Sequence, residues 1–452
     1  MTLTAACLLM LTLLRAGAVE AEWKAGISTV KITPDVPLQM AGYASRTKPF
    51  EKVNDDLYAK ALALQDSHGH RAVIITTDLI GFSAAIAEPI CRRIGDKTRL
   101  KREDILLSSI HTHSAPTLSL DSNPREGFPA EDAQRTAEYT RSLQDKVVDA
   151  AVRALAKMEP AKLSTGTGMA TFVMNRREFT PRGVILGFNP RGLVDRSVPV
   201  LRIDGADGKL RGVLFGCACH NTTLGDKNML LSGDYGGYAQ RTIEEQYPGT
   251  TALMMLGCAG DANPHPRGTM EMARDHGLSL GKEVCRVLGE QMSLVRGPLK
   301  TMLEKVPIPL AEVPREELEK VAKDGPGYKQ GVARGILALL EKGERPPNHY
   351  AAPIALWQFG EDLTMVALSG EVVVDYVTFL ERALGPLKLW VAAYTNDVFG
   401  YLPSARVIEE GGYETRGIYS GGPGFFSAHA QETVVKAIRE MARRAGRSIP
   451  GS

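Results

Sequence analysis

The chain has 452 residues, 44% of them hydrophobic and 23% charged, the proportions of an ordinary globular protein with material for a large core. Its 54 lysines and arginines against 52 aspartates and glutamates leave a net charge of +2, with no basic block. That balance sets aside nucleic acid and an anionic membrane surface as partners.

Residues 4–14 form an apolar run too short to span a bilayer, followed by Ala16-Gly17-Ala18 and Val19-Glu20-Ala21. Such a run before an A-x-A-like site reads as a signal peptide over residues 1–21, although no charged residue precedes it and Arg15 lies on its far side. A buried N-terminal helix is the alternative. The expectation is a secreted or periplasmic protein whose mature chain starts near Glu22. No other run approaches the roughly 18 apolar residues of a membrane span.

Further along, β-rich runs alternate with helical patterns. Strands are predicted over 61–64, 72–77, 105–110, 198–203, 212–218, 251–256, 354–359, 363–368 and 389–394. Helical periodicity fits 84–94, 130–157, 237–247, 270–288, 332–342, 372–384 and 428–444. This alternation predicts an α/β fold of mixed β-sheets with flanking helices. No repeat or low-complexity linker interrupts it, and residues 343–349, with Pro346-Pro347, are the most loop-like internal stretch. One domain over 22–452 is expected.

Of the six cysteines, Cys7 falls in the leader, leaving Cys91, Cys217, Cys219, Cys258 and Cys285. An odd number leaves at least one thiol unpaired within the chain, so this is no disulfide framework. Cys217-Ala-Cys219-His220 lacks the two-residue spacer of metal knuckles, and both thiols read as small buried apolar groups.

Several apolar runs end abruptly in chemically capable residues. The run from Ile105 leads into His111-Thr112-His113-Ser114, that from Val213 into His220-Asn221, and that from Ala252 into Asp261-Ala262-Asn263. The run from Leu363 leads into Glu371, and that from Leu389 into Asn396-Asp397. Open α/β sheets build their sites beyond the carboxyl ends of strands, so five such ends point to one convergent site.

His111 and His113 share a face of an extended segment and can approach one ion. With His220 and Glu371 they supply the imidazole and carboxylate donors of a catalytic zinc site, in which zinc brings the pKa of water to about 7. Each has a plainer reading: satisfied histidines at strand ends, and for Glu371 a cap on the helix predicted from residue 372. Asp234 and Asp261 are candidates to orient the ligand imidazoles, or else turn and N-cap residues.

The same residues carry a resemblance to the neutral/alkaline non-lysosomal ceramidases. It begins at Trp23-Lys-Ala-Gly-Ile-Ser-Thr-Val-Lys-Ile-Thr-Pro and Ala41-Gly42-Tyr43, and continues through His111-Thr-His-Ser-Ala-Pro, Asn175-Arg176, His220 and Gly233-Asp234-Tyr-Gly-Gly-Tyr238. Gly260-Asp261, Gly370-Glu371, Gly400-Tyr401-Leu-Pro-Ser and Gly412-Tyr413-Glu414 complete it. The resemblance implies the family's catalytic-domain fold and zinc held by His111, His220, Glu371 and Tyr401. It also implies a second histidine at His113, substrate contacts near Arg176 and Tyr413, and hydrolysis of the amide of ceramide, a lipid substrate. Tyr401 as ligand or oxyanion stabiliser comes from the resemblance alone.

Two departures qualify the substrate. The family's Gly-Asp-x-Ser-Pro-Asn segment, whose serine is important for catalysis, here reads Gly260-Asp261-Ala262-Asn263-Pro264-His265. An asparagine amide is no nucleophile, although it can donate to an oxyanion. The family's C-terminal immunoglobulin-like domain is not expected. The sequence therefore predicts a secreted zinc hydrolase attacking a ceramide-like amide. The alternatives are a hydrolase of the same fold acting on another ester or glycan-linked compound, and a secreted binding protein with a vestigial metal site.

Overall fold

The computed structural model describes residues 22–122 and 129–449, so the leader expected at 1–21 lies outside the described residues. Two mixed sheets stack face to face. Among the described residues the larger has nine strands. Thr251–Leu256, Leu210–Cys217, Ser197–Gly205, Glu159–Met169, Trp23–Lys31, Tyr58–Asp66, Arg71–Thr77 and Ile105–Ser109 lie side by side, and Ser293–Val295 also pairs with Glu159–Met169. The pair at each end of that row is parallel and the pairs between are antiparallel. The smaller sheet joins Leu299–Pro309, His349–Phe359, Leu363–Ala367 and Leu389–Ala392, the last two parallel.

Alternation along the strands explains the layers. Ala59, Ala61 and Ala63 face one core while Leu62 and Leu64 face another, and Val73 and Ile75 part from Ala72 and Ile74 in the same way. Successive side chains of a strand point to opposite faces, so a strand covered on both sides reads as a continuous apolar run. Between the sheets, Leu62, Ile74, Leu214 and Leu253 meet Trp357, Met365 and Trp390. Helices Ala84–Thr98 and Ala130–Ala156 cover one half of the large sheet's other face, and Asp234–Gln246 and Met270–Leu288 the second half. Asp375–Leu384 and Ala430–Ala445 cover the small sheet. The order is helix, sheet, sheet, helix, a mixed α/β architecture as expected.

The long apolar runs fall where they were predicted. The strands that carry little apolar pattern, Glu159–Met169, Val173–Thr180, Gly183–Asn189 and Leu299–Pro309, were not anticipated. Leu299–Pro309 contains Pro307 and Pro309 and lies at a sheet edge, where a missing N–H is tolerated. The helix predicted from residue 372 starts only at Asp375, because Glu371–Val372 pairs with Tyr401–Leu402. Cys91, Cys217, Cys219 and Cys258 are buried, Cys285 is half-buried, and all five are free. Among the described residues no helix is long and apolar enough to cross a membrane.

Candidate metal centre

The five strand ends do converge. Asn396 N–H donates to the Leu107 carbonyl (2.7 Å) and Ala393 N–H to that of Leu256 (2.9 Å), which ties the two sheets together at one end, while Leu368 N–H donates to Ala392 (2.9 Å) within the small sheet. Thr112 forms a parallel bridge with Asn221, and His113 N–H donates to the Asn221 carbonyl (3.2 Å), so the two histidine segments run side by side. His111, Tyr394 and Asn396 have left-handed backbones, with φ of 60°, 57° and 61°. Non-glycine residues adopt this conformation at a cost of about 1–2 kcal/mol. Hydrogen bonds such as that of His111 N–H to Leu79 (2.9 Å) hold them there.

At the centre, His111 Nε2 lies 3.2 Å from Glu371 Oε2 and 3.2 Å from His113 Nε2. His220 Nε2 lies 3.0 Å from the same Glu371 oxygen. The far nitrogens settle the tautomers: His220 Nδ1 faces the Ala259 carbonyl at 2.6 Å, and His111 Nδ1 faces that of Ile80. A carbonyl only accepts, so both Nδ1 atoms carry the proton and both Nε2 lone pairs point inward. His111, His113 and His220 can hold one metal ion, their donor atoms lying within 4.8 Å of one another. Converging lone pairs beside a buried carboxylate, with Nδ1–H bound to backbone oxygen, are a donor set that fits a divalent cation. Burial brings the His220 pKa down to about 4, helped by Arg176, and burial with His111 and His220 holds His113 well below the usual range. Burial alone would raise the Glu371 carboxyl; His111 and His220 hold it well below the usual carboxylate range only when they also carry a proton on Nε2.

Tyr401 is brought to Glu371 by direct backbone pairing. Its hydroxyl accepts from Arg176 Nη2 (3.0 Å), and burial pushes its pKa up. Arg176 also donates through Nε to Glu414 (2.9 Å), and its Nη1 lies 3.4 Å from both His220 Nε2 and Asn263 Oδ1. Tyr413 packs its ring 5.5 Å from that of Tyr401 and accepts from Arg416 (2.6 Å). Asn263 also accepts from the Thr222 hydroxyl (3.1 Å).

The two aspartates require a correction. Backbone carbonyls orient the imidazoles; Asp234 and Asp261 bind backbone amides instead. Asp234 accepts from Leu224 N–H (2.9 Å) and Thr223 N–H (3.2 Å), fixing the loop after His220. Asp261 accepts from Val374 N–H (2.8 Å) and Asn175 Nδ2 (3.2 Å), and burial raises its pKa to about 7. Glu371 is likewise no helix cap.

Other residues at the site were given no role from the sequence. Tyr419 donates to Glu371 Oε1 (2.9 Å), and Glu414 clamps both Arg176 and Arg177, the latter at 2.6 Å. The Tyr394 ring lies 4.5 Å from that of His111. Glu414 directly follows the noted Tyr413, and Thr222 follows His220 by two; nothing local marks Tyr419 or Tyr394. Above the cluster opens a cavity of about 440 Å³, lined by His113, Arg176, Thr222, Asn263, Tyr401 and Tyr413 among others. Gly42 closes over His113: with φ at 93°, any Cβ there would stand 2.3 Å from the imidazole Nδ1.

Fold and site together define a mixed α/β protein with a buried histidine–carboxylate centre able to bind a metal ion, set under a cavity. The chain belongs to the neutral/alkaline non-lysosomal ceramidase family, whose N-terminal model matches residues 23–312. It is 27% identical over 251 residues to neutral ceramidase B of Dictyostelium discoideum, covering 51% of this chain and 34% of that protein. It is 25% identical over 280 residues to the neutral ceramidase of Pseudomonas aeruginosa, covering 57% and 39% respectively. The matched stretches thus span well under half of those relatives' length. The crystal structure of the neutral ceramidase from Pseudomonas aeruginosa shares the fold, with a TM-score of 0.71 over 96% of this chain and 76% of that one at 19% identity.

Proposed function

We propose that this chain is an exported zinc-dependent hydrolase that cleaves the amide of an N-acyl, ceramide-like compound. The observation that carries the reading is the convergence of three imidazole Nε2 atoms and the Glu371 carboxylate beneath the cavity. In this reading His111, His220, Glu371 and Tyr401 hold the ion. When bound, zinc polarises a carbonyl and lowers the pKa of water to about 7. Tyr401 and Arg176 are the donors available to a carbonyl oxygen as it gains charge. Water adds its oxygen to the acyl carbon, the C–N bond breaks, and the departing amine takes the proton that His113 relays. Arg176 and Tyr413 position the substrate. The apolar run at residues 4–14 supports export.

The relatives are neutral ceramidases, but Asn263 stands where the resemblance places a serine. Slow turnover of ceramide itself follows, with better use of another N-acyl compound. Purified chain assayed on a panel of fluorogenic N-acyl substrates, before chelation, after it, and after zinc is restored, tests this. Activity that falls and returns with zinc is expected. Undiminished hydrolysis by zinc-free protein would sink the metal mechanism, and bound metal without turnover on any acyl compound would favour the binding-protein alternative.

A further inference from the structure

The lining of the cavity is mixed in character. It includes Met174, Leu186 and Phe188, the latter two 49% and 44% exposed although they are large and apolar. It also carries Arg176 and Arg267, with the His265 ring 4.5 Å from that of Phe188, and no aspartate or glutamate lines the cavity among the described residues.

Following the charges shows which of these are free. Arg176 and Arg177 share Glu414; Arg177 also pairs with Glu410, Glu410 with Arg406, and Arg406 with Asp375. Three guanidinium groups thus balance three carboxylates, and that network is neutral. Arg267 stands outside it. Its Nη2 donates to the Tyr43 hydroxyl (3.0 Å), which in turn donates to the Leu224 carbonyl (3.1 Å), and no carboxylate pairs with it among the described residues. Arg416 is held in a similar way, by the Tyr413 hydroxyl; it lies over the rings of Tyr413 and Tyr419 and leaves a buried Nε without a partner. Arg267, exposed to solvent, and Arg416, which also feels the Glu371 carboxylate, are each held by a tyrosine that lines the cavity. A cleft of one charge sign over low-dielectric walls concentrates the opposite charge. A fixed guanidinium fork is the side chain best matched to a carboxylate or phosphate.

From this we infer that the cavity takes an anionic amphiphile, its apolar chain laid on Met174, Leu186 and Phe188 and its carboxylate or phosphate paired with Arg267. The inference deepens the proposed hydrolase, assigning the substrate a negatively charged amine portion where ceramide has a neutral one. It does not depend on the metal.

Equilibrium binding to the full chain tests it with ligands that cannot be hydrolysed, because a sulfonamide replaces the amide. The probes are N-(dodecylsulfonyl)glycine, its neutral counterpart N-(dodecylsulfonyl)ethanolamine, and the phosphate monoester of the latter. At low salt at least one anionic probe binds about tenfold or more tighter than the neutral one, as a charge-assisted pair provides. Whichever anion binds tighter identifies the group recognised. Arg267→Gln removes the preference and leaves the neutral probe's affinity unchanged, while Arg267→Lys restores part of it. Equal binding of all three probes by the wild type, or a preference undiminished in Arg267→Gln, overturns the inference. Failure of zinc dependence would appear in the turnover assay and leave this binding result standing.

Discussion

Glu371 and Tyr401 are direct partners in a two-residue parallel ribbon, Glu371–Val372 against Tyr401–Leu402, so a single backbone pairing delivers both side chains to the histidine cluster. The ribbon is entered through Gly370, whose φ of 83° suits glycine, and whose missing Cβ would meet the Phe399 ring at 2.7 Å and the Gly400 carbonyl at 3.0 Å. Gly370→Ala is expected to cost about 1–3 kcal/mol of stability and to reduce metal content by displacing Glu371. Denaturant unfolding and elemental analysis on one sample check this; wild-type metal content in the variant would show that the ribbon does not set the ligand.

The histidines should separate by role. His111→Ala and His220→Ala each lose bound metal and activity, since removing one of three or four ligands takes away most of a site's affinity. His113→Ala keeps metal and loses rate. Zinc content of the three purified variants decides the assignment. Full zinc in His220→Ala contradicts it, and loss of zinc from His113→Ala makes that residue a ligand.

Glu414 is the buried carboxylate common to Arg176 and Arg177. Deleting one partner leaves buried charge uncompensated, typically at about 3–5 kcal/mol. Glu414→Ala is therefore expected to lower the unfolding midpoint well beyond a surface control such as Glu131→Ala. Equal midpoints would show that the clamp contributes little.

At the opposite end of the molecule from the cavity, His70 Nε2 pairs with Asp104 (2.9 Å), and Thr301 from the small sheet joins them. The hydrogen bond to Asp104 raises the His70 pKa. Burial alone would raise that of Asp104, but bonds from His70 and Thr301 bring it down. The histidine's contribution to stability is complete below its unfolded pKa of about 6.5 and is lost as pH rises through the elevated folded value. The aspartate's is present above about 3.9 and lost as pH falls through the depressed one. The pair thus stabilises most between those limits, modestly, because His70 is partly exposed. His70→Gln is expected to flatten the decline in stability above neutrality. Parallel wild-type and mutant curves of unfolding free energy against pH would dismiss the effect.

Asn263 tests the substrate. If water is the nucleophile, the side chain here governs positioning, and Asn263→Ser is expected to raise turnover of a fluorogenic ceramide while the wild type is slow. Efficient cleavage of ceramide by the wild type would show that this position matters little.

Much of this was legible in the sequence. The apolar runs ending at His111, His220 and Glu371 marked both the strands and the convergence, because doubly covered strands must be apolar throughout and polar residues are tolerated only where such strands end. The helix Met270–Leu288 could be bounded by its periodicity alone. Leu299–Pro309 and Glu159–Met169 could not, since their partners rather than their own composition make them strands.

At the site the division is the same. Donor types belong to the residues, so the candidates for the metal were readable one by one. Which group fills each remaining valence was decided by packing. The Ile80 and Ala259 carbonyls accept the imidazole N–H bonds for which Asp234 and Asp261 were candidates, those two being equally readable as turn or N-cap residues, and Glu414, more than two hundred residues away, pairs with Arg176. A backbone oxygen looks the same at every position in a sequence, and only the folded chain determines which one faces an imidazole.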